Sequence, residues 1–452
     1  MGFIESIFDY ILGLGAEVFV PGLMIAIGLI VGMKFREAFN AGIILGVAFI
    51  GMNLVIGFML DALTPAAQDL AEMTGIDLTA VDGGWTTAAT LSWAWPYAFL
   101  MFPIQLIING IMLFFNWTKT LNVDLWNVWG KIFTAVAITG VTGNLYIALV
   151  GASVIVVVEL LLSDLNQPSI EKVTGIPGVT VSHGMNILTV TLMPIDWVLR
   201  RFKFFNKKMD ANALREKIGV FAENNVMGFI IGILLGFAAG YSIADALILA
   251  MQAAAALTLF PMIAKLFMEA LSPLSEAINE FMKKRFKGRE MYIGLDWPIL
   301  AGSSEVWVAI ILTVPFTLLL AFILPGNAVL PFAGILNIGL AVPALIVTSG
   351  NLLRMMVLSI SATPVFLYVS TYFTDIITDL ARTTNAVALE EGQRLTWSTV
   401  EYPVFRFILT ELGSFTLIGI GMVVAWILLF LFYRQQMTKR NEEFKAEVEE
   451  VA

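Results

Sequence analysis

The feature that most constrains this fold is a series of apolar stretches, each about as long as a helix that crosses a membrane. A helix needs about 20 residues to span the hydrocarbon core of a bilayer. Ten such stretches lie at residues 16–33, 41–60, 92–115, 145–162, 181–198, 226–244, 246–266, 299–323, 354–374 and 414–433. They are too long and too uniformly apolar for barrel strands. The pattern predicts an all-α polytopic membrane protein, with residues 398–412 as a weaker eleventh crossing.

The composition excludes several classes of protein. Hydrophobic residues make up 58% of the chain and charged residues only 13%, whereas soluble domains carry about 25% charged residues. Cysteine is absent, which excludes disulfides, thiolate metal sites and a phosphocysteine on this chain. The amino-terminal residues lack the pattern of a signal peptide, so we expect the mature chain to begin near Met1. We expect no metal, cofactor, catalytic residue or nucleic-acid partner.

The distribution of Lys and Arg predicts which segments face the cytoplasm. The densest basic segments are RRFKFFNKK (200–208), KKRFKGR (283–289) and the tail after Phe432, and the positive-inside rule places all three in the cytoplasm. Residues 61–90 hold five acids and no Lys or Arg, which fits the outer face. Eleven crossings would place the amino terminus outside and the carboxyl terminus inside, provided that 398–412 crosses.

The two halves of the chain resemble each other. MLDALTPAAQDLAE (59–72) resembles FMEALSPLSEAINE (267–280), and GNL at 143–145 recurs at 350–352 with nearly the same spacing. The loop after the second helix is acidic in the first half and basic in the second. Opposite charge predicts opposite faces, hence two repeats of inverted topology, which is typical of transporters.

Matching interruptions in the two halves are candidates for broken, re-entrant helices. Short apolar stretches end at GVTGN (140–144) and at TSGN (348–351). Paired interruptions of this kind indicate a binding site between the repeats. The alternative is that both are ordinary loops at a membrane face.

Several segments resemble a known family. GLGAEVFVPGLMIAIGLIVGMKFREAFNAGI (13–43), TKTLNVDLWN (118–127), the SHG around residue 183 and GLDWP (294–298) together resemble the galactitol-type IIC component of the sugar phosphotransferase system, in the ascorbate-galactitol superfamily. The resemblance covers nearly the whole chain. It implies a homodimer in a bacterial inner membrane, with a scaffold domain and a core domain that carries a polyol by an elevator-like movement.

The resemblance also implies a domain organisation and partners. Scaffold would comprise residues 1–90 and 200–293, core residues 91–199 and 294–433, and the cytoplasmic tail residues 434–452. The glycine-rich faces of the first two helices of each repeat suit close packing in lipid. Cytosolic IIA and IIB components would act with the chain, a phosphocysteine of IIB supplying the phosphoryl group.

Three ionisable residues are the main candidates for substrate binding, because such groups are costly inside a membrane. Asp296 can accept hydrogen bonds from neighbouring hydroxyls, although an acid at this position also caps helices. His183, the only histidine, offers one donor and one acceptor when neutral; the alternative is a structural hydrogen bond. Glu401 lies near Arg406 and Glu411, so its alternatives are an internal ion pair or a loop at the surface.

Six further residues are weaker candidates for the same site. Amides and a hydroxyl would add hydrogen bonds, and a further carboxylate would face the same cavity. One ring among Trp93, Trp95 and Tyr97 would stack on the polyol. The residues are Asn144, Asn351, Asn186, Ser303, Glu305 and Trp95. Aromatic residues at this depth more often belong to the interfacial belt.

Two functions are compatible with these observations. The first is a phosphotransferase permease for galactitol or a similar polyol. The second is an ion-coupled secondary transporter on a related elevator fold, in which Asp296, Glu401 and His183 bind protons or sodium.

Overall fold

The computed structural model describes residues 16–30, 32–122, 127–176, 178–285, 291–300 and 303–451. The expected start at Met1, residues 123–126 of TKTLNVDLWN and the end of the second basic segment lie outside the described residues. The helices are α1 (Ala16–Ile30), α2 (Phe35–Thr74), α3 (Gly84–Ala94), α4 (Met101–Phe114), α5 (Val128–Thr142), α6 (Leu145–Thr174), α7 (Leu188–Leu199), α8 (Ala211–Ile218), α9 (Asn224–Ala238), α10 (Ile243–Arg285), α11 (Ser304–Ile323), α12 (Ile338–Thr348), α13 (Leu352–Thr384), α14 (Pro403–Gly413) and α15 (Leu417–Val451).

Six of these helices are long and apolar enough to cross a membrane, and a bent pair of helices could form a seventh crossing within the described ranges. The long ones are α2, α6, α10, α11, α13 and α15, and the bent pair is α3 with α4, at 92°. Predicted spans 16–33, 181–198 and 226–244 correspond to shorter apolar helices. Helix length thus supports a polytopic membrane protein but does not confirm eleven crossings.

The weak candidate at 398–412 contains only a short helix. α14 has 11 residues, so it is about 16 Å long at 1.5 Å per residue, roughly half of the hydrocarbon thickness. The orientation that depends on this crossing stays a prediction.

Four helices form a bundle in which small residues allow close approach. α1 packs on α2, α9 on α10, and α2 on α10. A Cβ at Gly228, Gly232 or Gly236 of α9 would lie less than 3 Å from backbone atoms of α10. The predicted close packing of this glycine face is therefore present, within the hairpin of α9 and α10.

Within the described residues, six short strands join the two halves of the chain. The prediction of an all-α fold did not include them. They are β1 (Ala80–Asp82), β2 (Thr120–Asn122), β3 (Val179–Val181), β4 (Tyr292–Leu295), β5 (Val329–Leu330) and β6 (Arg394–Thr396). One parallel sheet has the order β5-β1-β6 and the other the order β2-β4-β3. β1, from the first half of the chain, lies between β5 and β6 of the second half. β4, from the second half, lies between β2 and β3 of the first half. Each half therefore supplies the central strand of the sheet that the other half flanks.

Asp82 fixes the first sheet at its carboxyl end. The side chain is buried and accepts hydrogen bonds from the backbone N–H groups of Gly84, Phe332, Gly334 and Ser398, and from the Ser398 hydroxyl. This acid was counted in a predicted outer loop at 61–90. Instead, α2 continues to Thr74 and Asp82 lies in the protein interior.

Two helical hairpins end at the interruptions predicted from the sequence. α5 meets α6 at Gly143, which has a φ of 65°, and Asn144 caps α6 by accepting from two backbone N–H groups. α12 meets α13 at Ser349, whose φ is 53°, and Asn351 caps α13. In each hairpin a helix of 15 or 11 residues precedes a helix of 30 or 33 residues.

Candidate functional site

A cavity of about 260 Å³ lies where the carboxyl ends of all six strands converge. Every strand is followed by a segment that contributes to the lining of this cavity, which we call the central cavity. Ligands of parallel sheets commonly bind at this end of the strands. The lining residues are Trp85, Asn127, Trp129, His183, Met185, Asp296, Trp297, Leu336, Ile338, Gly339, Trp397, Thr399 and Glu401.

The three main candidates from the sequence meet in this cavity. Nε2 of His183 lies 3.6 Å from a Glu401 carboxylate oxygen and 3.9 Å from Oδ1 of Asp296. His183 and Glu401 are buried, whereas the Asp296 side chain is 25% exposed. Both separations exceed a hydrogen-bond length, which leaves room for a ligand hydroxyl to join the groups.

The backbone determines the tautomer of His183. The N–H of Met185 donates to Nδ1 at 3.1 Å, and Nδ1 can accept only when it carries no proton. The imidazole is then neutral with its proton on Nε2. It therefore presents one N–H donor towards the two carboxylates.

Aromatic rings form much of the remaining wall. The rings of Trp129 and Trp397 lie 5.2 Å apart, and Trp85 and Trp297 line the same cavity. Behind them, the buried guanidinium of Arg406 lies 5.3 Å from the centre of the Trp397 ring. Flat rings of this kind suit the apolar C–H faces of a polyol, while the carboxylates suit its hydroxyls.

Tyr402 positions the segment that carries Glu401. Its backbone is left-handed, with a φ of 40°, and its hydroxyl donates to the Gly130 carbonyl at 3.0 Å. The ring lies directly against Gly184, where a Cβ would overlap it. The glycine of the SHG segment is thus required by the close approach of Tyr402.

A buried ion pair lies beside the cavity. Nζ of Lys131 lies 2.6 Å from Glu159, and both side chains are almost completely buried. Lys131 also donates to the backbone carbonyl of Asn127, which lines the cavity, and Asn122 donates to Glu159. The sequence did not predict this pair; the one signal for it was the charge of Glu159 within the apolar stretch 145–162.

The structure places four of the weaker candidates outside the cavity lining. Asn186 is buried and donates to the Val181 carbonyl, and Trp95 packs against Tyr97. Asn144 and Asn351 cap helices at the hairpin tips. Each has a structural partner, and its role in binding stays a prediction.

The last two candidates line a different cavity. Ser303 donates to Glu305 at 2.6 Å, and both residues face a second cavity of about 730 Å³. The segment that follows β4 therefore passes from the central cavity, at Asp296 and Trp297, to the second cavity, at Ile299 and Leu300.

Residues that the sequence analysis did not single out include Trp85, Asn127, Trp129, Trp297, Trp397 and Thr399. Trp297 and Trp397 adjoin or nearly adjoin predicted acids, so the GLDWP and TWSTVEYP segments carried a local signal. Thr399 lies in the second of these segments, and Asn127 ends the TKTLNVDLWN segment. Trp85 and Trp129 gave no signal, because tryptophan is also common in the interfacial belts of membrane proteins.

Comparison with known proteins identifies the family. A model of the sugar-specific permease component of the phosphotransferase system matches residues 10–392. The chain belongs to this permease family. It is therefore an integral membrane protein, in agreement with its long apolar helices.

Relatives of this permease include two galactitol-specific EIIC components, from Escherichia coli strains K12 and O157:H7. Each is 33% identical over 391 residues, which cover 86% of this chain and 86% of the relative. A protein of strain K12, named no more specifically than a permease IIC component, is 31% identical over 434 residues, or 95% of this chain and 99% of the relative. These matches confirm the resemblance to the galactitol-type IIC component.

Proposed function

We propose that this permease binds galactitol or a similar hexitol in the central cavity and releases it inward for phosphorylation. The observation that carries the proposal is the grouping of one neutral imidazole and two carboxylates within 4 Å, in a cavity walled by tryptophan rings. The names of the relatives supply the substrate class.

The chemistry of the cavity fits a polyol. Each hydroxyl of a hexitol can donate one hydrogen bond and accept others. Nε2–H of His183 would donate to one hydroxyl, while Asp296 and Glu401 would accept from its neighbours. Hydrogen bonds to charged groups contribute about 1.5–3 kcal/mol each, so these carboxylates would supply much of the affinity.

Phosphorylation would take place on the bound or departing hexitol with a phosphoryl group from a partner. The chain has no cysteine and so no phosphocysteine. A cytosolic IIB component, itself phosphorylated by IIA, would supply the group to a hexitol hydroxyl. This permease would then act as the transport subunit of a complex.

The movement would follow the division of the helices. The bundle of α1, α2, α9 and α10 would be the scaffold, through which two copies pair as a homodimer, and the sheets with their helices the moving core. Residues 80–94 pack with the core helices and strands, so we move the proposed boundary from residue 90 to the turn after Thr74. A core held together by two shared sheets would move as one body, as an elevator mechanism requires.

The exchange of strands between the two halves supports an inverted repeat. β1 pairs with β5 and β6, while β4 pairs with β2 and β3. A two-fold axis that relates the two halves would generate this reciprocity, and we propose that the axis lies in the membrane plane. We propose the bacterial inner membrane as the location, with the amino terminus outside and the carboxyl terminus in the cytoplasm.

Calorimetry on the purified protein tests the substrate and the site. Asp296→Asn removes a charged acceptor, and we expect galactitol affinity to fall by about tenfold or more, because a charged hydrogen bond is lost. Asp375→Asn, an exposed acid on α13, is the matched control and should bind normally. Equal affinities for the two variants would remove Asp296 from the site.

Uptake into vesicles separates this function from an ion-coupled transporter. With phosphorylated IIB present, we expect galactitol to appear inside as its phosphate ester, in either the presence or the absence of an ion gradient. Accumulation of free galactitol driven by a proton or sodium gradient, with no ester formed, would favour the secondary transporter.

A further inference from the structure

The second cavity, of about 730 Å³, is rich in cationic side chains, and we call it the cationic cavity. Four helical elements contribute one cation each, whereas Glu305 and Glu443 are the only carboxylates in its described lining. The cations are Lys172 of α6, Arg200 at the end of α7, Arg354 of α13 and Arg440 of α15.

The cationic cavity lies at the far end of α12 from the central cavity. Ile338 and Gly339, at the start of α12, line the central cavity, and Ile346 and Thr348, at its end, line the cationic cavity. Ten residues of helix span about 15 Å. The two cavities therefore lie at opposite ends of α12, and they approach each other at the segment after β4, where Trp297 lines the central cavity and Ile299 the cationic cavity.

Arg354 is buried, and hydrogen bonds to two neighbours fix its guanidinium. It donates to Asp196 at 2.8 Å and to the Thr348 carbonyl at 2.9 Å, and its side chain is only 10% exposed. Its Nε has no hydrogen-bond partner among the described residues. The two contacts hold the guanidinium at the wall of the cationic cavity, where Arg354 belongs to the described lining.

Arg440 makes the cavity more suitable for an anion. Its two terminal nitrogens donate to the carbonyls of Ile346 and Val347, at 3.0 and 2.9 Å. Those carbonyls belong to the last turn of α12, the negative end of the helix dipole, which would otherwise repel an anion. The guanidinium has five N–H donors, so others remain available.

The acids nearby do not cancel the positive charge. Asp196 is held between Arg200, at 3.0 Å, and Arg354, and Glu305 accepts from the Ser303 hydroxyl. Asp196, Glu305 and the exposed Glu443 are three carboxylates, whereas the cavity has four cations. A guanidinium fork matches the oxygens of a phosphate in geometry as well as in charge.

We propose that the cationic cavity binds the phosphate group of a hexitol phosphate on its way to the cytoplasm. The choice of a phosphate ester rests on the proposed function, whereas the preference for an anion rests on the cavity alone. Arg200 begins the basic segment predicted to face the cytoplasm, where a phosphorylated product would leave.

The test measures binding of galactitol 1-phosphate, inorganic phosphate and galactitol to the full-length protein in detergent by calorimetry. We expect Arg200→Gln and Arg354→Gln each to weaken binding of the ester and of phosphate by about tenfold, with galactitol affinity unchanged. Arg201→Gln is the matched control, since this neighbouring arginine packs on Trp197 and does not belong to the described lining. Lys172→Gln, at an exposed position, replaces Arg354→Gln if that variant fails to fold.

Three results would overturn the inference. The first is unchanged ester affinity in the Arg200→Gln and Lys172→Gln variants. The second is that Asp296→Asn abolishes binding of the ester while the variants of the cationic cavity do not, which would place the ester in the central cavity. The third is binding of phosphatidylglycerol at these arginines without binding of the ester, which would make the site one for lipid headgroups. Failure of the wild-type protein to bind galactitol would instead contradict the proposed function.

Discussion

Gly184 shows how one residue controls the geometry of the site. Tyr402 packs against its Cα, and the same tyrosine donates to the Gly130 carbonyl and holds the turn after Glu401. Glu401 lies 3.6 Å from His183. The contact between Gly184 and Tyr402 therefore controls the distance between two residues that are predicted to bind the substrate.

We expect Gly184→Ala to destabilise the protein and to weaken galactitol binding. Overpacking a buried position costs about 1–3 kcal/mol, and the displaced Tyr402 would move Glu401. Thermal unfolding in detergent and calorimetry measure the two effects. Gly57→Ala is the control, because a Cβ at Gly57 would meet no atom within 4 Å and should not lower the melting temperature. Equal melting temperatures for both variants would contradict the role of this contact.

The sequence identified His183, Asp296 and Glu401 as individual residues because imidazoles and carboxylates are rare in apolar stretches. It could not show that residues more than 100 positions apart meet in one cavity, since that depends on how the strands pair. The tautomer of His183 likewise depends on a backbone N–H of Met185, which no pattern in the sequence predicts.

Elements differ in how well the sequence predicted them. The interruptions at GVTGN and TSGN were predicted, because a glycine and an asparagine interrupt an apolar run at both places. Their interpretation as re-entrant helices at the binding site stays a prediction. The strands were missed since each has only two to four residues, too few for an alternating pattern to be recognised. The predicted span 92–115 contains α4 and only the end of α3, because most of α3 lies in the segment predicted as an outer loop, 61–90.

We expect Asp82→Asn to loosen the sheet that joins the two halves. The carboxylate accepts five hydrogen bonds from three segments, and an amide nitrogen at either position would face N–H donors. Leaving buried donors unsatisfied costs about 1–3 kcal/mol each, so the melting temperature should fall. Asp379→Asn, on an exposed part of α13, should have little effect. A melting temperature equal to that of Asp379→Asn would contradict the proposal that Asp82 stabilises this sheet.

At the scale of the whole molecule, the proposed inverted repeat makes a prediction about accessibility. The absence of cysteine allows single cysteines to be placed at Tyr146 and Ser349, which are exposed next to the two hairpin tips. We expect a membrane-impermeant thiol reagent to label Tyr146→Cys from one face of oriented vesicles and Ser349→Cys from the other. Labelling of both from the same face would contradict the inverted topology.

The proposed elevator mechanism makes a second prediction at this scale. Gln393 of the proposed core donates to Asp61 of the proposed scaffold at 3.3 Å. A short bifunctional thiol reagent would cross-link the two cysteines of the Asp61→Cys/Gln393→Cys variant. We expect this cross-link to block transport and to leave galactitol binding intact. The control pair, Asp375→Cys/Arg394→Cys, lies within the core and should still transport after the same reaction. Full transport by the cross-linked first pair would rule out movement between these two bodies.

By itself, the sequence determined that the chain is a polytopic membrane protein, where its hairpins turn, and which rare ionisable residues it keeps in apolar surroundings. These properties are local: apolar length, helix-breaking residues and the cost of burying charge act on each segment separately. Only the tertiary structure decided that six short strands are shared between the two halves, that their carboxyl ends surround one cavity, and that four cations line a second. Those features depend on contacts between segments far apart in the chain, which leave no periodic signal in any one of them.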